Sequence, residues 1–385
     1  MKKIVKIIGG LVLLLIVGLY ATGKDYLLKG VRNIYLRGHK TAFLADYKYF
    51  ENDTVFKSTD PQPWPKHPAY NTGLVAESLE DYHQKTKTVA FVVIQNDSVL
   101  YEKYYENYGP DARSNSFSMV KSMVSAALGK AIMEGAIESL DQPVIDFIPE
   151  LKGPYAQEVT VGNLSAMASG QKWDEAYYSP FSVTAAAYFV DDLPQLILDQ
   201  PIDSPPNQGF KYLSGTTQLL GMVIEKATGQ KLAQYMTEKF WQPLGAEHDA
   251  YWQVDSSAQG NVKAYCCFAS NALDFARFGK LYKDYGRWGT TQVLDSTFVA
   301  KSLRPIYPND PEYGYGWWLD HYKEQPVFMM RGHLGQYVIV LPEQNTIVVR
   351  LGHLKGDAIP ENPFTEDIYV YIDAALELVN NAAQN

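Results

Sequence analysis

The chain has 385 residues, 46% hydrophobic and 20% charged, enough to bury a large core and too apolar for a disordered polymer. Its formal net charge is −9; residues 1–23 hold three lysines and no acid, so the remainder stands at −12. An acidic body with no basic cluster repels phosphate backbones, which sets nucleic-acid binding aside.

At the N-terminus, Lys2, Lys3 and Lys6 precede an uncharged run from Ile7 to Gly23. That run is long for a signal-peptide core and slightly short for a spanning helix, so residues 1–23 read as a signal peptide or a membrane anchor, with residues 4–23 as the attachment. Ala21-Thr22-Gly23 offers small residues to a signal peptidase, whereas Tyr20 suits an interfacial anchor. In both cases the lysines stay cytoplasmic, and everything after Lys24 is expected to be extracytoplasmic, periplasmic or at the cell surface.

Residues 24–80 read as an N-terminal extension, with prolines at 61, 63, 65 and 68 imposing an extended stretch. Val89 to Gln95 is rich in β-branched residues and is followed by Asn96-Asp97-Ser98 and a second apolar-polar run, Val99 to Tyr105, which predicts a hairpin. From Ser118 onward, Val120, Met123, Val124, Ala127, Leu128, Ala131 and Ile132 recur at helical spacing, and Gly135 stops the run. Ser118 therefore opens a buried helix. A serine there is explained equally well as an N-cap, but Lys121 in the first turn faces the unfavourable end of the helix dipole and serves no capping purpose. Residues three apart share a helix face, so this lysine is placed to take a proton from the serine.

Only two cysteines are present, the neighbours Cys266 and Cys267. A bond between them closes a strained ring and staples nothing distant, so two buried thiols without a redox role are expected. Gln336 to Leu341 and Thr346 to Leu351 flank Pro342-Glu343-Gln344-Asn345 as a second strand pair. Thr365-Glu366-Asp367 then starts a helix with Ile368, Ile372, Ala375, Leu376 and Val379 on one face. Strands at both ends with helices between them imply an α+β fold whose antiparallel sheet is assembled from distant segments.

Three short motifs follow one another as Ser118-Met119-Val120-Lys121, Tyr212-Leu213-Ser214 and His333-Leu334-Gly335. Around them stand Thr160 to Gly170 with Trp173-Asp174-Glu175, and Leu219 to Gly229 with Pro243-Leu244-Gly245. In order and spacing the set resembles the serine β-lactamase and penicillin-binding-protein superfamily, in the branch of class C β-lactamases, related esterases and 6-aminohexanoate-dimer hydrolases. The resemblance covers roughly residues 80 to 380. It implies a β-lactamase/transpeptidase-like fold: an antiparallel sheet flanked by helices in residues 81–385, with a largely helical region at approximately 130–290 and Ser118 in the cleft between the two parts.

The resemblance also implies roles. Ser118 is the expected nucleophile, with Lys121 and Tyr212 as general base and acid, and the Tyr212 phenol further helps activate the deacylating water. Tyr177, Ser214, His333, Gly335 and Gln336 are expected to bind substrate, Tyr177 near the scissile amide, and the amides of Ser118 and Gln336 to form the oxyanion hole. His333 stands where many relatives have lysine and Ser214 where β-lactamases commonly have asparagine; both changes favour an esterase or amidase over a strong β-lactamase. Trp173 is a further candidate for the cleft wall, whereas Trp317 and Trp318 read as core packing.

No Gly-x-Ser-x-Gly elbow, His-Glu-x-x-His pair or phosphate-binding glycine loop occurs, which sets aside α/β-hydrolases, metalloenzymes and nucleotide-binding proteins. No cofactor is expected. The expected partner is a small ester, amide or peptide-like substrate, with a β-lactamase, a D-Ala-D-Ala peptidase or a non-catalytic cell-wall sensor as the alternatives.

Overall fold

The computed structural model describes residues 1–73 and 75–384. Its centre is a six-stranded antiparallel sheet of β1 (Thr88–Gln95), β2 (Ser98–Tyr104), β3 (Trp318–Tyr322), β4 (Gln325–Gly332), β5 (Gln336–Leu341) and β6 (Thr346–Gly352). The order is β2-β1-β6-β5-β4-β3, so the two ends of the domain meet where β1 pairs with β6. The β1-β2 hairpin turns on Asn96 and Asp97, both at positive φ (48° and 60°), which short polar side chains tolerate best.

Alternation along the strands sorts the core into two layers. Phe91 and Val93 of β1 and Tyr337 and Ile339 of β5 face α6 (Glu366–Gln384), where Ile368, Ile372, Ala375 and Val379 are buried as expected and Leu378 is more deeply buried than Leu376. Val92, Ile94, Val338 and Val340 form the other face, in the main core. There α5 (Ala272–Lys283) lies so close that a Cβ on Gly279 would stand 2.9 Å from Val338, a distance only glycine permits.

The remaining helices form the second part, centred on α3 (Val120–Met133) and α4 (Ser214–Thr228). A four-stranded sheet runs through it in the order Asn52–Val55, Ala250–Gln253, Phe268–Ser270, Ser114–Asn115. Asn52 pairs with Gln253 and Val55 with Ala250, so the N-terminal extension is hydrogen-bonded into the body. Ahead of it lie α1 (Lys2–Ala21), which buries no residue, and α2 (Tyr26–Asn33). Length and composition would let α1 cross a membrane.

Two local expectations are corrected. Ser118 does not cap the α-helix: it sits inside a 3₁₀ turn, Phe117–Met119, which runs into α3 with no side-chain cap. Cys266 and Cys267 are bonded to each other rather than free, on a backbone that brings the neighbouring side chains together through a left-handed Cys267 (φ 71°).

Candidate active site

The strand Ser114–Asn115 delivers the chain to Ser118 through a residue in an unfavourable conformation. Phe117 has φ 45°, a left-handed backbone that costs a non-glycine residue about 1–3 kcal/mol and persists only when its surroundings impose it. The Phe117 amide donates to Asn115 Oδ1 at 2.8 Å and the Ser116 amide to the Phe268 carbonyl at 2.7 Å. Asn115 is held in turn by Asp46 of the extension, which accepts from Asn115 Nδ2 (2.9 Å), Tyr188 OH (2.6 Å) and Gln253 Nε2 (2.9 Å). Burial raises the pKa of the Asp46 carboxyl against these hydrogen bonds and the nearby Lys263. Lys263 is itself pushed down to about 7, by burial first.

Lys121 lies in the first turn of α3, and its buried amine has three neighbours: Tyr265 O at 2.7 Å, Ser214 Oγ at 3.1 Å and Ser118 Oγ at 3.1 Å. The Tyr265 carbonyl can only accept. The Ser214 hydroxyl gives its proton to Glu175 Oε1 at 2.5 Å, so towards Lys121 it also accepts. A neutral amine has two hydrogens and one lone pair, so with both hydrogens placed the lone pair is left for the Ser118 hydroxyl. Burial favours that neutral form, pushing Lys121 down to about 8 against the opposing charge of Glu175.

Tyr212, in the loop before α4, reaches the same point from 94 positions along the sequence. Its phenol lies beside Ser118, and its ring stacks on Trp318 with centroids 5.6 Å apart. Burial raises its pKa, with Ser118 and Arg331 opposing, so at neutral pH the group is a protonated phenol, a donor.

Of the predicted binding residues, Ser214 stands beside Lys121 as described, and Tyr177 and His333 line the same cavity with their rings stacked, centroids 5.6 Å apart. Burial pushes His333 down to about 4, and its Nε2 is buried without a hydrogen-bond partner, so a neutral imidazole faces the cavity with one polar atom unsatisfied. Gly335 (φ 82°) belongs to a turn whose carbonyl accepts from Arg350 at 2.8 Å. The Gln336 side chain turns away from the cleft to bond the Gly352 carbonyl and amide, leaving only its backbone for the site. Gly332, at the end of β4, lies so tightly under the Ser118 turn that a Cβ would stand 2.1 Å from Ser116 O. Trp173 is buried with its Nε1 on Thr184, and Trp317 is core; Trp318, expected to be core as well, is the stacking partner of Tyr212.

The residue missed in the sequence is Glu175. It accepts from the Ser214 amide (2.7 Å), the Ser214 hydroxyl (2.5 Å) and Tyr177 OH (2.5 Å), which ties two of the five predicted binding residues to one carboxylate. Its only signal was its place in Trp173-Asp174-Glu175. Around these groups is a cavity of about 390 Å³ that includes Ser118, Ser214, Tyr265 and Cys266 in its lining. Among the described residues no cluster of three His, Cys, Asp or Glu side chains is gathered to hold a metal.

A six-stranded antiparallel sheet closed by the C-terminal helix, with a helical part across a cleft that contains Ser118, defines a β-lactamase/transpeptidase-like protein. The chain belongs to the beta-lactamase family, whose model matches residues 73–365. It is 26% identical to the 6-aminohexanoate-dimer hydrolase of Paenarthrobacter ureafaciens over 315 residues, 74% of this chain and 79% of that protein. Protein flp of Staphylococcus aureus (strain COL) is 21% identical, over 71% of this chain and 60% of flp. Among solved structures, a Bacillus anthracis protein assigned by name to the 6-aminohexanoate-dimer hydrolases superposes with a TM-score of 0.73 at 21% identity, covering 91% of this chain and 95% of that one. The D-amino acid amidase of Ochrobactrum anthropi SV3 gives 0.60 at 16% identity, over 79% of this chain and 97% of its own.

Proposed function

We propose that this protein is an exported serine hydrolase that cleaves an ester or amide bond through an acyl-enzyme on Ser118. The observation that carries this reading is the buried Lys121 amine 3.1 Å from Ser118 Oγ, with Tyr265 O and Ser214 Oγ both placed to accept from it, so that in its neutral form the lone pair is free for Ser118. Ser118 Oγ attacks the substrate carbonyl as its proton passes to Lys121, and the protonated Tyr212 phenol donates to the leaving alcohol or amine. Water then reverses the sequence: it gives its proton to the Lys121–Tyr212 pair, and Ser118 leaves with a proton returned. The amides of Ser118 and Gln336 are assigned to the oxyanion, and His333 Nε2 and Tyr177 to the polar part of the substrate.

An amidase or esterase is favoured over a β-lactamase because His333 is neutral at physiological pH and supplies no cation for a carboxylate. The Paenarthrobacter ureafaciens relative, a hydrolase of the 6-aminohexanoate dimer by its name, supports the same choice. Export rests on α1 and the three lysines before its apolar run. Ser118→Ala should abolish turnover of p-nitrophenyl esters and labelling by a fluorophosphonate without changing the thermal midpoint. Full activity in that variant ends the assignment. Labelling of the wild type without turnover of any ester or amide would favour a non-catalytic sensor.

A further inference from the structure

The cavity beside Ser118 is only partly built by the segments that carry the three motifs. Leu27, Val31 and Ile34 of the α2 region form one wall, while Ala185, Tyr188 and Phe189 also line it. Specific contacts hold α2 in place: Tyr26 OH donates to Pro180 O at 2.9 Å, Lys29 bonds Asp191 at 2.5 Å, and Gly30 lies so close to Phe189 that a Cβ would stand 3.3 Å from its ring. Tyr35 and Tyr178 of the cavity lining stand in solvent, Tyr178 at 80% exposure, as do their chain neighbours Leu36, at 74%, and Phe181. This is an apolar surface that a soluble protein does not ordinarily leave open.

Charge and chain length say what faces that surface. Residues 24–40 carry five basic side chains, Lys24, Lys29, Arg32, Arg37 and Lys40, against Asp25 alone, in a body that is otherwise strongly acidic. Just four residues, Thr22 to Asp25, separate α2 from the apolar α1, which buries no residue, a reach of at most about 14 Å. With α1 in a bilayer, the basic and aromatic rim of the cavity lies at the headgroups, where such residues are favoured.

We infer that the substrate is a membrane-borne amphiphile, whose apolar chain fills the chamber walled by α2 and Phe189 together while its ester or amide carbonyl reaches Ser118. This rests on the hydrolase reading above. In acylation the Ser118 Oγ to carbonyl carbon bond forms, the carbon to leaving-group bond breaks, and the serine proton leaves with the alcohol or amine. Water then releases the acid.

The full chain in detergent is tested with p-nitrophenyl acetate, butyrate, hexanoate and octanoate. kcat/KM should rise about fourfold per added methylene, the equivalent of about 0.8 kcal/mol for each CH₂ removed from water. Val31→Glu should flatten that rise at least tenfold at octanoate relative to acetate; Val31→Ser, a milder change at a partly exposed position, should flatten it less. In phosphatidylglycerol vesicles, p-nitrophenyl palmitate should be hydrolysed at least tenfold faster when enzyme and ester share a vesicle than when they are apart. Acetate turnover with a flat or falling chain-length series overturns the amphiphile and leaves the hydrolase. Equal rates for shared and separate vesicles overturn the membrane source. No turnover at any length, with Ser118 unlabelled by a fluorophosphonate, removes the hydrolase reading and this inference with it.

Discussion

Glu175 accepts two hydrogen bonds from Ser214, one from its amide at 2.7 Å and one from its hydroxyl at 2.5 Å. A carboxylate that consumes the serine proton obliges that hydroxyl to accept from Lys121, and so decides where the lysine lone pair points.

Replacing that charge should move the working pH of the enzyme. Glu175 opposes the depression of the Lys121 pKa, so Glu175→Gln should lower it further below about 8 and shift the acid limb of kcat/KM towards lower pH. The pH profile of p-nitrophenyl ester hydrolysis reads this directly. An acid limb that stays in place or moves upward contradicts the electrostatic role given to Glu175.

Tyr212→Phe keeps the ring that stacks on Trp318 and removes only the proton donor. kcat should fall by about two or more powers of ten. The loss should be greater with poor leaving groups such as anilides than with p-nitrophenolate, which needs no protonation. Equal losses on both substrates would assign the phenol to positioning instead.

Asn115→Ala should act on Ser118 without touching it. The variant frees the strained Phe117 amide and leaves one hydrogen bond to buried Asp46 unmade, at a cost of about 1–3 kcal/mol in stability. Because the turn carrying Ser118 relaxes, kcat should drop at least tenfold with KM little changed. Urea unfolding and steady-state kinetics on the same preparation test both halves, and a stability loss with unaltered kcat would refute the link to Ser118.

Acid should weaken the fold through His83, which packs between Phe91, Tyr105 and Tyr371 and is pushed down to about 4, by burial first. Its folded pKa lies below the unfolded 6.5, so between those values the unfolded chain binds more protons. The neutral ring therefore stabilises the protein fully above pH 6.5, and that stability is lost as pH falls towards 4, by about 3 kcal/mol in all. His83→Gln should make urea midpoints at pH 7 and pH 5 converge. A pH dependence identical to wild type would place the effect elsewhere.

Elements with a local cause could be read from the chain alone. The β1-β2 hairpin is written in a β-branched run broken by Asn96 and Asp97, and α6 in the spacing of Ile368, Ile372, Ala375 and Val379. The proximity of Ser118 and Lys121 follows from helical pitch, and Tyr212 and His333 were recognised through their neighbours in sequence. Glu175 was not, because one carboxylate among 43 acidic residues has no local signature until Ser214 and Tyr177 arrive from outside its own turn. Trp318 reads as core in the sequence because its partner, Tyr212, lies more than a hundred positions away.

What the amino-acid sequence determined by itself is the β1-β2 hairpin, the β5-β6 pair, α3 and α6, the family and the order of the reactive groups, since each depends on neighbours within a few residues or on a run of letters. Tertiary structure alone decided the rest: Asp46 holding Asn115 beneath a strained Phe117, Glu175 orienting Ser214, and α2 roofing the chamber beside Ser118. Each joins groups about 40 to 160 residues apart along the chain. Such contacts form only when packing of the whole core offsets the entropy of bringing distant segments together, and no local pattern in the chain records that balance.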